Sequence, residues 1–132
     1  LFRSTGEALA SFNRNWARRV LGRGAIVLII SDGWDRGDPV QLGREMARLQ
    51  RTSFRLFWLN PLLGSPSYKP LTRGMQAALP YLDDFLPSHS LESLHDLVAL
   101  LAELPLRRSG PVPAHARRRP RSPFLPAMVR PR

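Results

Sequence analysis

The sequence contains no cysteine. That excludes a disulfide framework, a zinc–thiolate centre and a thiol nucleophile, and it suits a reducing compartment. A cytoplasmic location is the expectation. No apolar run approaches the roughly 20 residues of a membrane span, so no span is expected. The longest run, Ala25 to Ile30, is only strand-length. No signal-peptide pattern is visible. A glycine-rich phosphate loop is also missing, because Gly22 and Gly24 fit neither a P-loop nor a dinucleotide fingerprint. Acidic side chains are missing from residues 107–132, which hold eight arginines and six prolines. Such a segment cannot bury enough apolar surface to order itself and reads as a disordered tail.

What is present fits one domain. The 132 residues carry a formal charge of +10, but the excess is local. Residues 1–106 hold twelve basic and ten acidic side chains, a net of +2. The basicity belongs to residues 107–132, so specific nucleic-acid recognition by the folded part is not expected. The tail itself could bind phosphate non-specifically, with only Phe124 to stack on a base. The chain opens at Leu1 and passes almost directly into a helical pattern, which reads as a fragment of a longer protein.

Ser4 and Glu7 have the form of a capping box. Leu9, Phe12, Trp16 and Val20 then fall on one helical face. Ala25 to Ile30 is a continuous, mostly β-branched run without alternation. It reads as a central parallel strand covered on both sides. Asp38 and Pro39 open the next helix, whose inward stripe is Leu42, Met46 and Leu49. Phe54 to Leu59 is a second strand; Arg55 interrupts it and suggests an edge or a polar loop nearby. A proline-rich loop leads to Thr72, the cap of a short helix ending near Pro80. Leu82 to Leu86 is a third strand. Ser90 caps a last helix with Leu91, Leu94, Val98 and Leu101 inward. Alternating helices and strands predict an α/β, Rossmann-like, doubly wound parallel sheet over residues 1–106.

Ligands of such sheets bind beyond the carboxyl ends of the strands. Asp32 stands there, in Ser31-Asp32-Gly33-Trp34-Asp35-Arg36-Gly37-Asp38. A carboxylate at that place can hold a hard cation. The plainer reading is a solvated turn with Asp38 as a helix cap. The 32, 35, 38 spacing does not match an EF-hand. Trp58, Asn60 and Tyr68 could line the same crevice, or Trp58 is core and Asn60-Pro61 a turn. His89, His95 and His115 have neither ligand spacing nor a nucleophile partner. Asp83 and Asp84 point to opposite sides of a strand, which is poor for acid/base work.

Three strings are familiar. "GEALASFNRNWARR", "AIVLIISDGWDRGDP" and "FRLFWLNPLLGSPSYKPLTRGMQAALPYLDDFLPSHSLESL" closely resemble the CoxE-like branch of the von Willebrand factor A (VWA) family, over about residues 6–100. The resemblance implies the C-terminal half of a doubly wound domain with a metal-ion-dependent adhesion site. In the family that site joins an Asp-x-Ser-x-Ser loop, a Thr and an Asp. Asp32 matches the Asp, and the Asp-x-Ser-x-Ser loop would lie upstream of this chain. Aligning on Gly6-Glu7-Ala8-Leu9 puts Arg3 at the Thr position, with Thr5 two residues away. The implied cofactor is Mg²⁺ or Mn²⁺, and the implied partner-binding rim is Trp34, Asp35, Asn60 and Tyr68. The implied role is a non-enzymatic accessory protein. It would serve maturation of a carbon monoxide dehydrogenase-type molybdenum enzyme, beside a MoxR-type AAA+ ATPase. The alternatives are a Rossmann-like metal hydrolase using Asp32 and Asp35, and nucleic-acid binding through the tail. With the first half of the sheet upstream, the Ala25–Ile30 strand would keep an exposed edge in this chain.

Overall fold

The computed structural model describes residues 3–22, 24–63, 65, 67 and 72–104. Tyr68, His115, the expected boundary at 106/107 and the basic tail lie outside the described residues.

Helix α1 (Thr5–Asn15) starts where the sequence signals it. Ser4 is extended, and its side chain accepts the N–H of Glu7 at 3.1 Å. Glu7 returns a bond to the N–H of Arg3 rather than to that of Ser4. The helix breaks at Trp16 (φ −125°) and resumes as the single turn α2 (Ala17–Val20). That break corrects the expected single stripe. Leu9 and Phe12 pack on the core, whereas Trp16 and Val20 are exposed and the small Ala10 and Ala17 are buried. Once the chain turns at Trp16, helical spacing no longer carries one face past it.

Strand β1 (Ile26–Ile30), helix α3 (Pro39–Thr52), strand β2 (Arg55–Asn60), helix α4 (Arg73–Ala78), a 3₁₀ turn (Leu79–Tyr81), strand β3 (Asp84–Pro87) and helix α5 (Leu91–Glu103) follow. The three strands are parallel and ordered β1-β2-β3. Ile29 of β1, Leu42, Met46 and Leu49 of α3, and Met75 and Ala78 of α4 form one core with Leu56, Trp58 and Phe85. On the opposite face Phe57, Leu59 and Leu86 pack with Leu97 of α5. Helices therefore lie on both faces of a parallel sheet, the partial Rossmann-like arrangement expected. Among the described residues no helix is long and apolar enough to cross a membrane.

The second strand, expected near an edge or a polar loop because of Arg55, is the middle one and is buried along its whole length. The Arg55 guanidinium folds back, donating to the Phe54 carbonyl at 3.0 Å and stacking 4.4 Å over the Phe54 ring. A long cationic side chain can cover apolar surface with its stem and its plane, so it does not force a strand to the rim. β1, read as central in the whole domain but with an exposed edge in this chain, is the edge of the described sheet, as expected. Its Leu28 is 40% and its Ile30 70% exposed, both on the face that carries α5. β3 begins two residues later than its apolar residues suggest. Asp83 takes over the ladder there, its carboxylate accepting the Leu56 N–H at 2.7 Å and its own N–H returning to the Leu56 carbonyl at 2.9 Å.

The last helix is also rotated from expectation. Ser90 caps it with Ser93 in a reciprocal capping box. Its packed side is Leu97 with Leu100, Leu101 and Leu104, while Leu91, Leu94 and Val98 are exposed. A leucine-rich helix offers two overlapping apolar stripes, and contact with β2 and β3 selects one of them.

Candidate functional site

The loop from Ser31 to Asp38 leaves the C-terminal end of β1, and its own side chains shape it. Ser31 Oγ accepts the N–H of Gly33 at 3.1 Å, and Asp32 Oδ1 that of Trp34 at 2.9 Å. Asp35 Oδ1 accepts the N–H of Gly37, and Asp38 Oδ1 that of Val40, both at 2.9 Å. These are local side-chain turns, the reason short polar residues recur at such spacing. The last of them is the N-cap of α3, with Pro39 at its first position.

A second set of bonds comes from distant elements. The Trp58 indole donates to the Ser31 carbonyl at 2.9 Å. The Asn60 amide donates to the Asp32 carbonyl at 3.2 Å. The Thr72 hydroxyl donates to the Gly33 carbonyl at 3.1 Å and accepts the Met75 N–H, capping α4. Three consecutive loop carbonyls are thus held by three side chains, two from β2 and one from the cap of α4. Trp58 and Asn60 are wholly buried. Asn60 lies beneath the loop rather than on an exposed rim, and its Oδ1 also fixes the next turn through the Leu62 N–H at 2.8 Å. The sequence presents Thr72 only as a helix cap. Its grip on Gly33 spans 39 residues and has no local signal.

Two glycines are demanded by close packing. Gly33 has φ +73°, and a Cβ there would run into the Met75 side chain. A Cβ on Gly37 would run into Ser4.

The carboxylates divide by role. Asp32 is exposed at the surface of the held loop. Asp35 is half-buried rather than solvent-facing: one oxygen takes the Gly37 N–H, and the other takes the Thr5 N–H at 3.1 Å, at the start of α1. The acid suits the positive end of that helix. Thr5 therefore reaches the loop, through its backbone. Trp34 is 74% exposed. Arg3, Ser4, Thr5, Trp34, Asp35 and Arg36 line an open cleft of about 350 Å³. His89 and His95 are exposed.

A Mg²⁺ ion takes about six oxygens. Among the described residues no three His, Asp or Glu side chains come together as a cation would need. Each loop carboxylate already accepts at least one backbone N–H, Asp32 from Trp34, Asp35 from Gly37 and Thr5, and Asp38 from Val40. The described residues therefore do not make a whole divalent-cation site; Asp32, exposed just beyond the end of β1, could contribute at most one ligand to it.

Residues 4–94 match the family model described as "VWA domain containing CoxE-like protein". The match runs from the cap of α1 into the first turn of α5, more than half of the chain. Comparison with curated proteins and with solved structures gives no match. On that match and on the partial doubly wound sheet, the chain belongs to the CoxE-like VWA family.

Proposed function

We propose that this chain is a protein-interaction module, not an enzyme, and that the Ser31–Asp38 loop is the part that meets the partner. The observation that carries the reading is the clamp on three successive carbonyls by Trp58, Asn60 and Thr72. That clamp fixes the backbone while Asp32 and Trp34 remain exposed. A site held rigid before its partner arrives loses less conformational freedom on binding. Among the described residues no nucleophile–base pair stands beside Asp32 and Asp35, the carboxylates of the hydrolase alternative, which disfavours that alternative.

In this reading Asp32 supplies one oxygen to a Mg²⁺ or Mn²⁺ ion whose other ligands come from an Asp-x-Ser-x-Ser loop outside this chain. Trp34 and Asp35 stand on the partner-facing rim. The family resemblance points to a MoxR-type AAA+ ATPase as partner and a molybdenum enzyme of the carbon monoxide dehydrogenase type as client.

The test uses the chain extended upstream to include an Asp-x-Ser-x-Ser loop, titrated calorimetrically with Mg²⁺ and Mn²⁺. Asp32→Ala is expected to weaken metal binding about tenfold or more, as loss of one anionic ligand should. Co-elution with the ATPase should fall in parallel. Unchanged metal affinity in Asp32→Ala returns Asp32 to the status of a turn residue.

A further inference from the structure

The cleft beside the loop carries a charge pattern of its own. Arg3 and Arg36 line it and are exposed, and neither guanidinium is in an ion pair among the described residues. Trp34 lines the same cleft, with three-quarters of its surface open. Arginine and tryptophan are the side chains that most often dominate the energy of protein interfaces.

The backbone around the cleft offers an anion few free donors. The N–H of Arg3 goes to Glu7, that of Thr5 to Asp35, and that of Glu7 to Ser4. Any anion settling at the start of α1 would find these donors occupied and the Asp35 carboxylate beside it, so its partners would be the two guanidiniums. A peptide carboxylate carries a single charge, so Asp35 repels it less than a doubly charged phosphate, and it matches the fork of one guanidinium with two parallel bonds. Its neighbouring apolar residue can lie on the indole.

We infer that this cleft receives an acidic segment of a protein partner, bound through the guanidiniums of Arg3 and Arg36 and the face of Trp34, with no metal ion required. The inference rests on reading the loop as a partner surface, but not on the Asp32 cation.

The probe is a short fluorescent peptide of alternating glutamate and leucine, titrated into the full chain at physiological salt with EDTA present. The double change Arg3→Ala/Arg36→Ala is expected to weaken binding about tenfold or more, and Trp34→Ala severalfold. The pair Arg18→Ala/Arg19→Ala removes the same charge from an exposed helical turn and should leave binding unchanged. A glutamine version of the peptide should not bind, and inorganic pyrophosphate should displace the probe poorly. Equal loss in the Arg18/Arg19 pair overturns the inference in favour of diffuse charge. Ready displacement by pyrophosphate overturns it in favour of a phosphate site. Binding that needs added Mg²⁺ and survives the Arg3/Arg36 change overturns it in favour of a purely cation-mediated contact. The metal reading fails by a different result, normal metal affinity in Asp32→Ala, so the two failures remain distinct.

Discussion

On one face of the sheet, α3 and α4 close over Leu42, Met46, Leu49, Met75 and Ala78, each at 1% exposure or less. On the other face α5 covers Phe57, Leu59 and Leu86, yet Leu28 and Ile30 of β1 and Leu91, Leu94 and Val98 of α5 stay exposed. The first face is finished by this chain's own residues. The second carries more apolar surface than the described residues cover, the kind of patch that marks an interaction surface or an aggregation hazard. The loop clamps belong to the finished side: Trp58 is part of that core, and Thr72 caps the helix that carries Met75. A candidate site is therefore anchored where packing is tightest, and the stability of the molecule should be distributed unevenly between the two faces.

The largest effect is expected at the joint between core and loop. Trp58→Ala removes a fully buried ring and the donor to the Ser31 carbonyl, and should cost roughly 3–5 kcal/mol. Urea unfolding followed by circular dichroism would read it. A cost under about 1 kcal/mol would mean that the clamp and its core are not formed.

The comparison of faces is sharpened by a matched pair. Leu49→Ala on the finished face should cost about 3–5 kcal/mol. Leu97→Ala under α5 should cost nearer 2, because a half-open face can collapse around the lost volume. Equal costs in the same denaturation series would break the distinction.

Gly33→Ala combines a left-handed backbone with a clash against Met75 and should lose about 2–3 kcal/mol. Gly24→Ala, at φ +81° with open space around it, should lose only about 1. The gap between the two midpoints measures the packing of the loop against α4. Asp35→Ala should cost about 1 kcal/mol, since it leaves the part-buried Thr5 and Gly37 N–H groups without their acceptor.

The smallest stability effects belong to the open face. Ile30→Thr and Leu91→Ser should shift stability by less than about 0.5 kcal/mol while raising the concentration at which the chain stays in solution. Static light scattering beside thermal melts would separate the two readouts. A loss above about 1 kcal/mol in either variant would show that something does cover this face.

Local signals were legible wherever a few neighbouring residues determine the outcome. Ser4, Asp38, Thr72 and Ser90 each cap the helix expected of them, and the acids of the 31–38 loop make the short-range turns that such residues favour. The position of that loop beyond a strand end was equally readable, because the apolar run before it could be nothing but a strand of this length. Arg55, Asn60 and α5 were harder. A charged residue in a strand suggests a rim until its guanidinium is seen over the Phe54 ring. Asn60 suggests a turn until its amide is seen under Asp32.

The sequence by itself determined the order of elements, their caps, and the chemistry available at the end of β1, since each follows from contacts within a few residues of chain. Only the tertiary structure decided which strand lies in the middle, which stripe of α5 faces the sheet, and that Trp58, Asn60 and Thr72 hold Ser31, Asp32 and Gly33. Those outcomes depend on groups 27 to 39 residues apart, whose meeting is set by sheet order and helix packing and leaves no trace in local spacing.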